Sequence, residues 1–330
     1  MCYPPPTETI FRMFAMHHIV FLDKGSLPVT LKPLQSPHSW HEHAYTGPDD
    51  IVPRLQGASI AVVNKVRLTE SVLAALPDLK MIAIAATGSD NVDLAYCKAK
   101  GIVVSNIRNY ALDSVPEHVL AMLFALRRSL PGWQKSLSAG EWQTAQHFCL
   151  FDYPILDIAG STLGIIGSGS LGQSLAKKAQ ALGMRVLFAE RKGASDVRDG
   201  FTAFDDVLRQ SDAISLHCPL TPQTKDLMAA REFALMQPHA ILLNTARGAL
   251  VHADDLLAAL QSGQIGGAGI DVLPEEPPRQ GHPFLDVSLP NLMVTPHVAW
   301  SSQQAMRKLA DQLVDNMDAF IAGTPQNQLT

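Results

Sequence analysis

The chain is 330 residues long, 47% hydrophobic and 17% charged, with a net charge of −5. That is enough length for about two domains, and too apolar for a disordered or tail-like protein. No run of like charges suits a nucleic-acid or acidic-membrane partner, and no apolar stretch approaches the ~18 residues of a membrane span. Four scattered cysteines (Cys2, Cys97, Cys149, Cys218) offer neither a disulfide scaffold nor a zinc ribbon. What remains is a reduced, cytoplasmic, mixed α/β globular protein.

Residues 1–15 carry three consecutive prolines and lack the basic start and apolar core of a signal peptide. A disordered extension is expected there. From Ile19, short β-branched runs alternate with helical periodicities, the pattern of a parallel sheet with crossover helices. Strands are expected at 19–22, 60–63, 81–85 and 103–105. Helices are expected at 48–55, 69–76 and 93–100, the last closed by Gly101 as a C-cap. His38, His41 and His43, with Glu42, match no strong ligand spacing. They are expected on a solvated loop, and no metal site is expected. A helix is predicted over 114–130, with Ser114 and Glu117 forming a capping box and Pro116 in the first turn. Residues 131–160 show no clear period. Their Trp133, Trp142, Phe148 and Phe151 suit a subunit-interface arm or a loop folded onto its own domain.

The second unit is more regular. Strands are predicted at 163–166, 185–189, 213–216, 240–243, 268–272 and 292–295, and helices at 170–182, 204–209, 229–235 and 253–262. An amphipathic helix over 302–321 is expected to return to the first unit. The expected fold is thus two doubly wound parallel-sheet α/β domains with a cleft between them. Residues 16–110 with 302–330 form the substrate domain. Residues 111–301 form the dinucleotide domain, with a linking helix and a dimer arm over 114–160.

The sharpest chemical signal is Gly167-Ser168-Gly169-Ser170-Leu171-Gly172, which follows a strand and opens a helix. Gly167 makes the tight turn, Gly169 lets a pyrophosphate approach the backbone, and Gly172 permits close helix–strand packing. The next strand ends in Glu190, 18 residues after Gly172, near the ~20 expected of a ribose-binding carboxylate. Glu190 repels a 2′-phosphate and favours NAD, whereas the adjacent Arg191 leaves NADP use open. Gln173 stands where a P-loop needs lysine, and no GxSxG elbow exists, so neither NTP hydrolysis nor an α/β-hydrolase triad is supported. Three clusters follow strand ends: Asn244 to Gly248, Asp271 to Pro277, and Thr295 to Trp300. They bring Arg247, a glutamate and His297 to one rim, where open α/β sheets bind ligands. Arginine can grip a carboxylate through its planar fork. Histidine is the natural proton donor near neutral pH, and a carboxylate beside it fixes its tautomer.

GSGSLG (167–172), HCPLTPQT (217–224), LLNTARG (242–248), DVLPEEP (271–277) and TPHVAW (295–300), in this order, resemble the D-isomer-specific 2-hydroxyacid dehydrogenase family over nearly the whole chain from about residue 19. AERKG (189–193), NYALDSVPEH (110–118) and the PHVAW ending look most like its glycerate dehydrogenase (hydroxypyruvate reductase) branch. The resemblance implies a Rossmann-type nucleotide domain beside a smaller flavodoxin-like one. It also implies hydride transfer between a nicotinamide and C2 of a small 2-keto acid, with hydroxypyruvate and D-glycerate expected as the pair. Catalytic roles fall on Arg247, Glu276 and His297. Carboxylate contacts fall on Arg247 and the Thr87-Gly88-Ser89 loop. Cofactor contacts fall on Gly167, Gly169, Ser170, Leu171, Gly172, Glu190, Arg191, Pro219, Thr224, Thr245, Asp271 (for the carboxamide) and Trp300. A homodimer is implied. The alternatives are another keto acid (glyoxylate, pyruvate to D-lactate, or a phosphoglycerate reading Lys65, Arg67 and Arg108) and a non-enzymatic, dinucleotide-sensing, corepressor-like protein.

Overall fold

A computed structural model describes residues 16–330; the extension expected over 1–15 lies outside the described residues. The chain divides into two compact units, one running to Tyr110 and resuming over Met306–Thr330, the other spanning Ala111–Ala305.

The first unit holds β1 (His17–Phe21), β2 (His38–Glu42), α1 (Ile51–Leu55), β3 (Ile60–Val63), α2 (Glu70–Ala74), β4 (Met81–Ile84), α3 (Leu94–Lys100) and β5 (Val103–Ser105). Its strands form a parallel sheet in the order β2-β1-β3-β4-β5. Every residue of β3 and β4 is buried, because helices cover both faces of a parallel sheet and the strands read as unbroken apolar runs. Asp93 caps α3 by accepting from the Tyr96 N–H, and Gly101 closes it in the left-handed conformation.

The histidine-rich segment corrects its reading as a loop. It is β2, an edge strand paired in parallel with β1, with His17 opposite His38 and Val20 opposite His41. An edge strand is paired on one side only, so its half-exposed faces carry polar residues and the apolar signature of a strand is missing. Among the described residues no cluster of three His, Cys, Asp or Glu gathers as metal ligands.

The second unit contains α4 (Ser114–Arg127), α5 (Leu130–Ser138), β6 (Thr162–Ile166), α6 (Ser170–Ala181), β7 (Arg185–Phe188), α7 (Phe204–Gln210), β8 (Ala213–Leu216), α8 (Ala230–Leu235), β9 (Ile241–Asn244), α9 (Ala253–Gln261), β10 (Gly267–Ile270) and β11 (Leu292–Val294). The parallel order is β11-β10-β9-β8-β6-β7, so the chain leaves β6 outward to β7 and then crosses back to β8. That reversal is the switch point of a doubly wound sheet, and the Gly167–Gly172 turn sits directly above it. The last helix, α10 (Gln303–Ile321), buries Leu309, Leu313 and Met317 at helical spacing.

Two local expectations are revised here. The predicted capping box does not form: the Ser114 hydroxyl donates instead to the Ala299 carbonyl (2.6 Å), and Glu117 faces Lys178. The predicted 114–130 helix breaks at Ser129, whose φ of +51° ends one helix and starts α5 with Pro131 in its first turn. Part of the aperiodic 131–160 segment is therefore helical. It packs on itself through Trp133 and Tyr153, edge to face at 5.1 Å, while Phe148 and Phe151 stay exposed.

Candidate active site

The strand register of the second unit decides which loops meet. Asn244 of β9 pairs with Ile270 of β10, and Ile270 pairs with Val294 of β11. Arg247, Asp271 and Thr295 therefore leave three adjacent strands at the same end of the sheet. A Cβ at Gly248 would collide with the Leu273 and Pro274 backbone, so the loop after Arg247 packs against the turn that carries Glu276.

On this rim His297 Nδ1 donates to Glu276 Oε2 at 2.5 Å, and the other Glu276 oxygen accepts from the Leu273 N–H (2.8 Å). Both side chains remain about one quarter exposed, accessible to a substrate. His297 itself has φ +56°, an uncommon conformation for a residue with a side chain. The backbone is held there by the His297 N–H donating to the Asp271 carbonyl (2.7 Å). Asp271 adds its carboxylate, which accepts from the Val298 and Ala299 N–H groups at 2.9 Å each and from the Thr295 hydroxyl at 2.5 Å. The Asp271 side chain has no exposed surface. The residue that the family resemblance places at the carboxamide thus also fastens the loop that aims His297.

Sequence reasoning passed over two members of this support. Thr295 accepts from His118 Nε2 at 3.0 Å, and His118 lies 3.7 Å from the Asp271 carboxylate. His118 sits on α4, far along the chain, and only the packing of that helix on β10 reveals the link. Arg247 lies just past β9, its Nη1 donating to the Ala246 carbonyl, while Asn244 Nδ2 donates to the Arg247 carbonyl.

The dinucleotide turn can be tested for fit. Gly167 has φ +108°, and a Cβ there would come within 2.5 Å of the His217 carbonyl carbon. A Cβ at Gly172 would strike the Gly167 carbonyl oxygen, whereas the space around Gly169 is open. Gly169 is the N-cap of the 12-residue α6 and no side chain caps that helix, so its first-turn N–H groups, those of Ser170, Leu171 and Gly172, are left for an anion. The buried Thr245 hydroxyl at the end of β9 has no hydrogen-bond partner among the described residues. An open cradle at Gly169 and an orphaned hydroxyl on the same sheet end fit a bound dinucleotide. Pro219 and Thr224 close a turn beyond β8, with the Thr224 hydroxyl donating to the Pro219 carbonyl (2.7 Å), and Trp300 is half-buried beyond His297.

Glu190 stands just past β7, as its spacing predicts, but its carboxylate is occupied. Arg198 Nε and Nη2 donate to its two oxygens at 2.5 and 2.9 Å, and the Arg191 and Arg198 N–H groups add two more bonds. The Arg198 side chain, then the Arg191 N–H, hold this carboxyl down to about 2.

In the first unit, the Thr87 hydroxyl donates to the Ile107 carbonyl (2.8 Å) and Asn106 Nδ2 donates to the Thr87 carbonyl (2.7 Å). These bonds fix the turn after β4, with Gly88 and Ser89 partly exposed.

Residues 120–299 match the family described as D-isomer specific 2-hydroxyacid dehydrogenase, NAD binding domain. The glycerate dehydrogenase of Methylorubrum extorquens is 55% identical over 312 residues, covering 94% of this chain and 98% of that protein. The hydroxypyruvate reductase of Blautia hydrogenotrophica is 34% identical over 285 residues, 86% and 88% of the two chains. Among solved structures, D-lactate dehydrogenase from Aquifex aeolicus, complexed with NAD and lactic acid, superposes with a TM-score of 0.76 at 27% identity, covering 93% of this chain and 96% of that one.

Proposed function

The chain belongs to the D-isomer-specific 2-hydroxyacid dehydrogenase family, and from that premise we propose that its reaction is the reduction of hydroxypyruvate to D-glycerate. It is an NAD-dependent oxidoreductase. The substrate assignment is supported by the relatives named glycerate dehydrogenase and hydroxypyruvate reductase. The single observation that carries the mechanism is the 2.5 Å hydrogen bond between His297 and Glu276 beside the Arg247 loop.

Bound NADH supplies the hydride for C2 of the keto acid. With Nδ1 engaged by Glu276, His297 has Nε2 free to give its proton to the C2 oxygen as that oxygen becomes an alkoxide. Glu276 fixes the ring's tautomer and balances its charge. Arg247 offers its planar fork to the substrate carboxylate and the C2 oxygen. In the first unit, the turn of Thr87, Gly88 and Ser89 offers backbone N–H groups suited to a carboxylate. The Gly167–Gly172 turn and the α6 N-terminus would hold the cofactor's pyrophosphate, and the Thr245 hydroxyl would offer it a hydrogen bond.

The exposed Phe148 and Phe151 support assembly as a homodimer through the arm within residues 114–160. Light scattering at twice the chain mass would bear this out. No helix among the described residues is long and apolar enough to cross a membrane, and Cys97, Cys149 and Cys218 are free thiols, which supports a cytoplasmic setting.

The test of the reaction is NADH consumption with hydroxypyruvate, glyoxylate and pyruvate compared under one condition. The expected result is the highest kcat/KM for hydroxypyruvate. A higher kcat/KM for either of the others, or no turnover with any, overturns the substrate assignment.

A further inference from the structure

A carboxylate has about four lone-pair sites, and in Glu190 all four are taken: two by the Arg198 guanidinium, one by the Arg191 N–H and one by the Arg198 N–H. None remains for the ribose hydroxyls, the partners that make such a carboxylate select NAD. The same clamp cancels the negative charge that repels a 2′-phosphate. Arg198 is held in place from a second side, its guanidinium stacked 3.9 Å from the Phe201 ring centroid, although its side chain is otherwise more than half exposed.

The surroundings are cationic. Arg191, next to Glu190, is exposed and its side chain forms no ion pair among the described residues. It lines, with Lys192 and Arg231, a hollow of about 390 Å³ that Glu190 also borders. Lys192 and Arg231 are already paired with Glu232 and Asp205, which leaves Arg191 as the cation available to a new anion.

We infer that Arg198 is a specificity-determining residue: by saturating Glu190 it opens the adenosine end of the site to a 2′-phosphate, with Arg191 as the anchor, so that the enzyme accepts NADPH as well as NADH. Arg198 acts through Glu190 and is a positioning residue. The inference rests on the dinucleotide site proposed above, and its test separates the two.

The test is a direct titration of the full-length protein with NADH, NADPH and the fragment 2′,5′-ADP, followed by calorimetry or cofactor fluorescence, for the parent and for Arg198→Gln, Arg198→Lys and Arg191→Ala. In the parent, NADPH is expected to bind within about tenfold of NADH. Arg198→Gln frees the carboxylate, so NADPH and 2′,5′-ADP weaken by tenfold or more while NADH tightens. A merely structural role would weaken both dinucleotides together. Arg198→Lys restores a neutralising charge and recovers part of the NADPH affinity. Arg191→Ala, at an exposed position, weakens NADPH more than NADH and keeps the test usable if the loop variants fold poorly. Parent protein that binds NADH but not NADPH overturns the inference and leaves the site intact, as does an Arg198→Gln variant with an unchanged NADPH-to-NADH ratio. Parent protein that binds neither dinucleotide overturns the site itself.

Discussion

Past β10 and β11, toward one edge of the six-stranded sheet, Glu276 on the turn after β10 accepts from the imidazole of His297, which follows β11, and from one backbone N–H. Past β7, at the opposite edge, Glu190 accepts from one guanidinium twice and from two backbone N–H groups. Both are carboxylates beside a cationic partner at strand ends of a single sheet. The difference lies in the partner. An imidazole can both hold and give up a proton, so the first pair can pass one to a substrate. A guanidinium never loses its proton in a protein, so the second pair can only set a charge balance. Exposure follows the division: the His297 and Glu276 side chains are each about one quarter exposed, whereas that of Glu190 is 5% exposed. Two acidic residues in similar places are thereby suited to chemistry at one edge and to recognition at the other.

This contrast is broken most severely at the proton-donating edge. His297→Ala is expected to lower kcat by on the order of 10²–10⁴ while NADH affinity stays near that of the parent, as measured by steady-state kinetics and cofactor titration. Retained turnover at neutral pH would remove His297 from its role. Next in size, Arg247→Lys is expected to raise the keto-acid KM by roughly ten- to a hundredfold, because a point charge cannot reproduce a two-pronged grip. An unchanged KM would refute the anchoring role. At the other edge the expected effect is smaller and bears on preference. Glu190→Ala removes the charge and releases Arg198, and the NADPH-to-NADH ratio of kcat/KM is expected to rise about five- to tenfold. An unchanged ratio would mean that the pair has no part in cofactor choice.

The last expected effect lies between the edges and bears on stability alone. Burial pushes the His217 imidazole, just past β8, down to about 4. The folded protein keeps this ring neutral while the unfolded chain protonates it near pH 6.5, so its share of stability is present above pH 6.5 and is lost as the pH falls toward 4. Denaturant titrations across that window are expected to show a loss on the order of 1–3 kcal/mol, reduced in His217→Gln. The Glu190 carboxyl, held at about 2, has its share of stability above its usual value near 4.5 and loses it only as the pH falls from there toward 2. The two losses therefore occupy separable acid ranges.

Much of this arrangement is legible in the residues. The central strands read as unbroken apolar runs because both of their faces are buried, and the glycine turn announces itself because three positions admit no side chain or need open space. What escaped was set by tertiary pairing. β2 is disguised because an edge strand with polar faces lacks the periodicity that marks a strand. The helix α5 is hidden by Pro131 and by the break at Ser129, which make it read as loop. Arg198 lies in the Gly-Ala-Ser-Asp-Val-Arg-Asp-Gly stretch, and only the fold of that loop, turned at Gly193 and Gly200, brings its guanidinium back to Glu190. His118 joins Asp271 and Thr295 from a helix more than a hundred residues earlier, a link no local pattern carries.

If Glu276 serves the reaction by holding the His297 ring, the two side chains must act as one unit, and a double-mutant cycle in kcat measures this directly. With hydroxypyruvate and NADH, Glu276→Gln alone should cost tenfold or more. Added to His297→Ala it should cost nothing further, since the ring it holds is gone. Losses that simply multiply in the double variant would contradict the pairing of these two residues as the proton-donating group.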